Sequence, residues 1–82
     1  MQVLVFAALR DLAGSGLVET TATDVGGMLE ELTGRYGPEF GRIASAGSVV
    51  VDGRRASPDD PLHPGQEVAI LPPVSGGSPV PG

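Results

Sequence analysis

The chain of 82 residues has no cysteine, no lysine and no tryptophan, and its only histidine is His63. Without cysteine there is neither a disulfide staple nor a thiol nucleophile. One histidine and no cysteine cannot make a nucleophile–base pair or a zinc site within the chain. No metal and no bound cofactor are therefore expected. Positive charge is scarce too: five arginines face ten acidic residues, giving a net charge of −5. Nucleic acid wants a basic face, so no nucleic-acid partner is expected. An acidic domain suits a basic protein partner, beside the plainer use of acidity in keeping a small protein in solution. No apolar run approaches the ~20 residues of a membrane span, and no basic segment precedes an apolar one as in a secretory signal. The expectation is a cytoplasmic protein without membrane association. The missing lysines fit a coding bias toward arginine. They also leave no side-chain amine to attack a C-terminus that becomes activated, since arginine stays protonated.

What is present is concentrated at the end of the chain, in Ile70-Leu71-Pro72-Pro73-Val74-Ser75-Gly76-Gly77. An apolar strand stops at Leu71, because Pro72 and Pro73 lack the N–H that a sheet ladder needs. A neutral stem leads to two glycines, and no side chain after Glu67 carries a charge. Gly76 and Gly77, having no Cβ, fit a slot too narrow for any other residue. Such a tail suits insertion into another protein's active site. A Gly/Pro/Ser-rich end is also the ordinary composition of a disordered terminus, so the preceding residues must decide between the two.

Those residues describe one small domain, 1–71, followed by a flexible tail, 72–82. Gln2 to Leu9 is apolar in both alternating sets, Val3 and Val5 against Leu4 and Phe6, as in a central strand. Arg10 to Gly16 ends in turn residues, and Leu17 to Ala22 reads as a second strand joined to the first by a hairpin. Thr23 or Asp24 caps a helix, whose apolar stripe is Val25, Met28, Leu29, Leu32 and Tyr36. Glu30 and Glu31 lie off the stripe and should face water, and Gly37-Pro38 stops the helix. Glu39 to Gly47 gives no clear element, although Phe40 and Ile43 are spaced to pin one helical turn. Ser48 to Val51 and Arg54 to Ala56 form a hairpin around Asp52-Gly53, a pair that tolerates the positive φ of a type I′ turn. Gln66 to Leu71 is the last strand, again apolar on both sides. The expected fold is α+β, a β-grasp (ubiquitin-like) mixed sheet with the first and last strands parallel and one main helix on one face. One helix cannot cover both faces, so an exposed apolar patch should remain as a partner site.

Phe6-Ala7-Ala8-Leu9-Arg10-Asp11-Leu12-Ala13-Gly14 resembles the first strand and turn of the small subunit of molybdopterin synthase. Val51-Asp52-Gly53, Pro61-Leu62 and Gly65-Gln66-Glu67-Val68-Ala69 resemble its later hairpin and final turn, and Leu71 to Gly77 its C-terminal signature. The thiamine-pathway sulfur carriers share the fold and the Gly-Gly but usually lack the Pro-Pro. The resemblance spans residues 1–77 and implies a ubiquitin-like sulfur carrier, not an enzyme. It implies an adenylating enzyme that uses ATP to activate the terminal carboxylate of Gly77, which then becomes a thiocarboxylate. It implies a sulfur-acceptor partner such as a molybdopterin synthase large subunit, contacted by Phe6, Leu71, Pro72, Pro73, Val74 and Ser75, with Gly76 and Gly77 at the reacting end. An extended Val74–Gly77 would reach roughly 13–14 Å from the body, at ~3.3–3.6 Å per residue.

The sequence departs from that family at its end, where Ser78-Pro79-Val80-Pro81-Gly82 follows Gly77. While Gly77 sits in a peptide bond it has no carboxylate to activate. Removal of residues 78–82, by analogy by a JAMM-type metalloprotease, is the favoured explanation. The alternatives are that Gly82 is the working end, or that the domain is a binding module without chemistry. A ubiquitin-like modifier joined to target lysines is the rival function. Elsewhere the signals are ordinary: Arg10 and Asp11 read as an exposed charge pair, Arg54 and Arg55 as solvated hairpin residues and His63 as a loop residue. Asp59-Asp60 reads as a cap, and Gly14-Ser15-Gly16 lacks the spacing and lysine of a phosphate loop.

Overall fold

The computed structural model describes residues 1–73. Five strands, β1 (Gln2–Val5), β2 (Leu17–Glu19), β3 (Ser48–Val51), β4 (Arg54–Ala56) and β5 (Val68–Leu71), form one sheet in the order β2-β1-β5-β3-β4. β1 and β5 run parallel at its centre, with Val3 opposite Val68 and Val5 opposite Ile70. The remaining pairs are antiparallel. The fold is the expected α+β β-grasp arrangement, including the parallel pairing of first and last strands. Asp52 (φ 51) and Gly53 (φ 82) both take the positive φ that the β3–β4 turn demands.

Among the described residues the expected main helix is α2 (Val25–Tyr36), and two shorter helices accompany it, α1 (Ala7–Ala13) and α3 (Pro38–Ala46). The first strand stops at Val5, four residues short of its apolar run, because the chain turns at Ala7 with φ 52 and winds into α1. Leu9 then reaches the core from a helix instead of a strand and is fully buried. The second strand ends at Glu19, three residues earlier than its composition suggests, and the last begins at Val68 rather than Gln66. Gly37-Pro38 ends α2 but also starts α3: Pro38 occupies the first helical turn, where its missing N–H costs nothing. Phe40 and Ala44 of α3 join the core, so the unplaced segment is a helix pinned by its apolar side.

α2 begins with its free N–H groups fully partnered. The Asp24 carboxylate accepts from Gly27 N at 2.7 Å. Val25 N donates to the Asp60 carbonyl at 3.0 Å and Gly26 N to the Pro58 carbonyl at 2.9 Å. The Ser57–Pro61 turn is thus stitched to the start of α2, and the Asp60 carboxylate itself accepts from Ser57 N at 2.8 Å. Val25, Met28 and Leu32 bury the apolar stripe against Val3, Val5, Val68 and Ile70 of the sheet, while Leu29 and Tyr36 pack at its margin. Glu31 is not merely solvated. Its Oε1 accepts from Thr20 Oγ1 at 2.6 Å and from Thr21 N at 3.0 Å, and its Oε2 pairs with Arg35 at 2.7 Å. The buried Thr20 hydroxyl lies just past β2, and a carboxylate acceptor satisfies it. Glu30 is exposed, as expected.

Candidate functional site: the open sheet face and the chain exit

All three helices bring their buried residues to a core shared with one face of the sheet, and the other face carries a row of side chains across all five strands. Register aligns Leu17 with Leu4, Leu4 with Ala69, Ala69 with Val50, and Val50 with Arg55. Paired residues share a face, so this row is apolar from the β2 edge inward and ends on a cation at the β4 edge. Leu17 remains 43% exposed, while Leu4, Ala69 and Val50 are half-buried. This is the expected uncovered apolar face.

The exit of the chain adjoins it. Ser48 pairs with Leu71 as the last rung between β3 and β5. Leu71 is 37% exposed, and Phe6, one position past the Val5–Ile70 pair, is 42% exposed. Pro72 is half-buried and Pro73 exposed. The structure therefore brings together Phe6, Leu71, Pro72 and Pro73 at one end of the central strand pair. Val74, Ser75, Gly76 and Gly77 lie outside the described residues, as does the 78–82 extension.

Sequence reasoning missed Leu17 and Leu12 as exposed apolar residues. Leu17 was legible in principle: in the alternation Leu17, Val18, Glu19 only one parity can face the core, and Val18 takes it. Leu12 had no such signal, because its segment was taken for a loop rather than α1. Arg10, Asp11, Arg54, Arg55 and His63 are all exposed, in line with their ordinary readings. Among the described residues, no three of the carboxylate and histidine side chains cluster as metal ligands would. Among them, no helix is long and apolar enough to cross a membrane.

One electrostatic feature is well defined. The hydrogen bond from Thr20, that from the Thr21 backbone and the nearby Arg35 guanidinium hold the Glu31 carboxyl below its ordinary range, against a smaller opposing effect of desolvation. It lies on the α2–β2 side of the molecule and ties those elements together, so its role is structural.

A model of the ThiS family matches residues 3–77. The chain belongs to that family. It is accordingly a small ubiquitin-like β-grasp carrier of the sulfur-carrier type rather than an enzyme, as the resemblance implied. No curated protein matches it by sequence. Among solved structures, SAMP1 from Haloferax volcanii is 30% identical, covering 94% of this chain and 98% of that one with a TM-score of 0.77. A putative molybdopterin converting factor subunit 1 from Pyrococcus furiosus is 28% identical, over 89% of this chain and 95% of that one, with a TM-score of 0.72. CysO in the BexX/CysO complex of Amycolatopsis orientalis is similar in fold, with a TM-score of 0.75 at 21% identity over 93% of this chain and 98% of that one.

Proposed function

We propose that this ThiS-family chain carries sulfur as a thiocarboxylate on Gly77, formed after residues 78–82 are removed by a JAMM-type protease. The observation that carries the proposal is where the family match stops: it runs through the di-proline exit and ends on Gly77, leaving the final five residues outside it. A carboxylate is a poor electrophile until one oxygen becomes a leaving group. An activating enzyme would use ATP to join AMP to the Gly77 carboxylate, releasing pyrophosphate. A sulfide-equivalent nucleophile would then displace AMP, leaving the C-terminal oxygen replaced by sulfur. Glycine at the reacting position removes steric hindrance, and the uncharged stem avoids desolvating charge inside a channel. The carrier contributes delivery; its partners contribute positioning and electrostatics. ATP belongs to the activating enzyme, and this chain binds no cofactor of its own.

The open face with Phe6, Leu4, Leu17 and Leu71 is the surface on which the activating enzyme and the sulfur acceptor dock. The acceptor is a molybdopterin synthase large subunit or the corresponding enzyme of a related biosynthesis, in the cytoplasm. The similarity to a molybdopterin converting factor subunit supports the former. Intact mass spectrometry of protein purified from its own cells tests the proposal. A species ending at Gly77 and heavier by about 16 Da than the carboxylate form, the difference between sulfur and oxygen, is expected. Protein found uncut and unaltered under sulfur-demanding growth would refute it.

A second reading has one observation in its favour: the 30%-identical structure is an archaeal modifier protein. In that case Gly77 is joined to lysines of target proteins, and proteolysed lysates would contain Gly-Gly remnants on those lysines.

A further inference from the structure

Gly47 is the single residue between the end of α3 at Ala46 and the start of β3 at Ser48. Its φ of −94 is on the side that any L-residue adopts, although its ψ of −142 falls between the β and α regions. Space makes the firmest demand for the glycine. A Cβ at this position would fall 1.9 Å from the carbonyl oxygen of Leu71, 2.9 Å from its carbonyl carbon and 2.9 Å from the carbonyl carbon of Pro72. All three are backbone atoms, so no side chain can rotate aside. Nor is the Leu71 backbone free to retreat, because it closes the β3–β5 ladder opposite Ser48. The chain thus leaves the sheet through a gap at the α3–β3 corner that admits only a hydrogen atom, which is why Pro72 is half-buried between two exposed neighbours.

The next two residues convert that contact into a direction. Pro72 and Pro73 each fix φ near −65°, and a residue before proline is confined to extended conformations. A displacement at the Leu71 carbonyl is therefore passed along the di-proline rather than absorbed by it. We propose that Gly47 is a positioning residue for the tail: by admitting the Leu71–Pro72 backbone against the α3–β3 corner, it sets the angle at which the carrier presents Gly77 to the enzymes that act on it. This rests on Gly77 being the reacting end. A body docked on one surface and a tip delivered to another gain from a fixed angle, because misplacement by about 1 Å can cost ~100-fold in rate.

The test compares Gly47→Ala with Gly34→Ala, a control at an exposed α2 glycine whose added Cβ would meet nothing within 4 Å. Since the chain has no cysteine, Ser75→Cys accepts a single nitroxide label, and the body amides that it broadens in NMR report the tail's direction. Gly34→Ala should leave the set of broadened amides unchanged, and Gly47→Ala should shift it. In parallel, on unlabelled chains ending at Gly77, ATP–pyrophosphate exchange with the activating enzyme should lose about ten- to a hundredfold in kcat/KM for Gly47→Ala only. Inserting two glycines between Pro73 and Val74 uncouples the tip from the corner, so it should cost the wild type about as much and add little to the Gly47→Ala loss, a non-additivity that a general loss of stability would not show. An unchanged broadening pattern in folded Gly47→Ala overturns the proposal, as do kinetic losses from Gly47→Ala and from the insertion that simply add. If Gly47→Ala does not fold, the variant with Pro72→Ala and Pro73→Ala, its body shown to be folded by its amide spectrum, must scatter the broadening and show the same kinetic loss; unchanged values overturn the proposal. A wild-type chain that is never activated at Gly77, yet whose tail direction follows Gly47, sinks the sulfur-carrier reading and leaves Gly47's control of the exit standing.

Discussion

Ala7 and Glu31 show how single residues set local structure against their sequence surroundings. Ala7 holds φ 52, a conformation that costs an L-residue about 1–2 kcal/mol, at the point where β1 gives way to α1. Ala7→Gly relieves that cost and gives back part of it as backbone entropy. A net stabilisation of about 0.5–1 kcal/mol is expected in urea melts. Glu31, whose carboxyl is held below its ordinary value of 4.5, makes stability depend on acidity in one direction. A carboxylate with a depressed folded-state pKa stabilises the fold above its unfolded value, and that contribution fades as pH falls through the folded value. Between pH 7 and about 5 the wild type should hold its melting temperature, then lose it below about 4.5 as Glu31 protonates. Glu31→Gln should start lower and fall less steeply over that acidic range, as followed by thermal melts at successive pH values.

At the scale of elements, the close approach of α2 and α3 depends on a missing side chain. A Cβ on Gly41 would meet Thr33 Oγ1 at 2.5 Å and Thr33 Cγ2 at 2.7 Å. Thr33 cannot easily yield, because its hydroxyl donates to the Leu29 carbonyl at 2.6 Å. Overpacking costs about 1–3 kcal/mol, more than the ~1 kcal/mol alanine gains as a helix former. Gly41→Ala should therefore destabilise the protein by about 1 kcal/mol, and the same change in a Thr33→Ala background should be neutral or stabilising. That reversal of sign, measured by chemical denaturation, is the signature of direct contact. The Tyr36 and Phe40 rings, 5.4 Å apart between centroids, close the same helix pair at its turn.

At the scale of the whole molecule, helices cover one face of the sheet and leave the other open beside the chain exit, and that open face is the proposed docking surface. Leu17, 43% exposed at the β2 edge of that surface, contributes little to the core. Leu17→Ser should lower stability by about 1 kcal/mol or less. It should weaken binding of the activating enzyme about tenfold, the loss of roughly 1.4 kcal/mol of apolar contact, as measured by titration calorimetry. Unchanged binding would place the docking surface elsewhere. The acidic balance of the chain, −5 overall, further predicts that association slows as salt is raised.

The residues alone determined the sheet and its central pair, because Val3 to Phe6 and Val68 to Leu71 read as apolar in both alternating sets, as strands in the middle of a sheet do. They also narrowed the α2 cap to Thr23 or Asp24, of which the structure uses Asp24, and determined the β3–β4 turn, since Asp52-Gly53 carries its conformation locally. They marked Leu71 to Gly77 as the proposed working end through proline and glycine, whose effects on the backbone are intrinsic. Tertiary structure decided where β1 ends, because Phe6-Ala7-Ala8-Leu9 suits a strand or a helix equally until Leu9 finds the core. It made a helix of Pro38–Ala46, where only the burial of Phe40 and Ala44 offsets a weak local preference. It turned Glu31 inward to a hydroxyl that lies eleven residues away in the chain. And it gave Gly47 its meaning, because a glycine in a turn reads as freedom of the backbone, whereas here it marks the passage of a distant segment too close for any side chain.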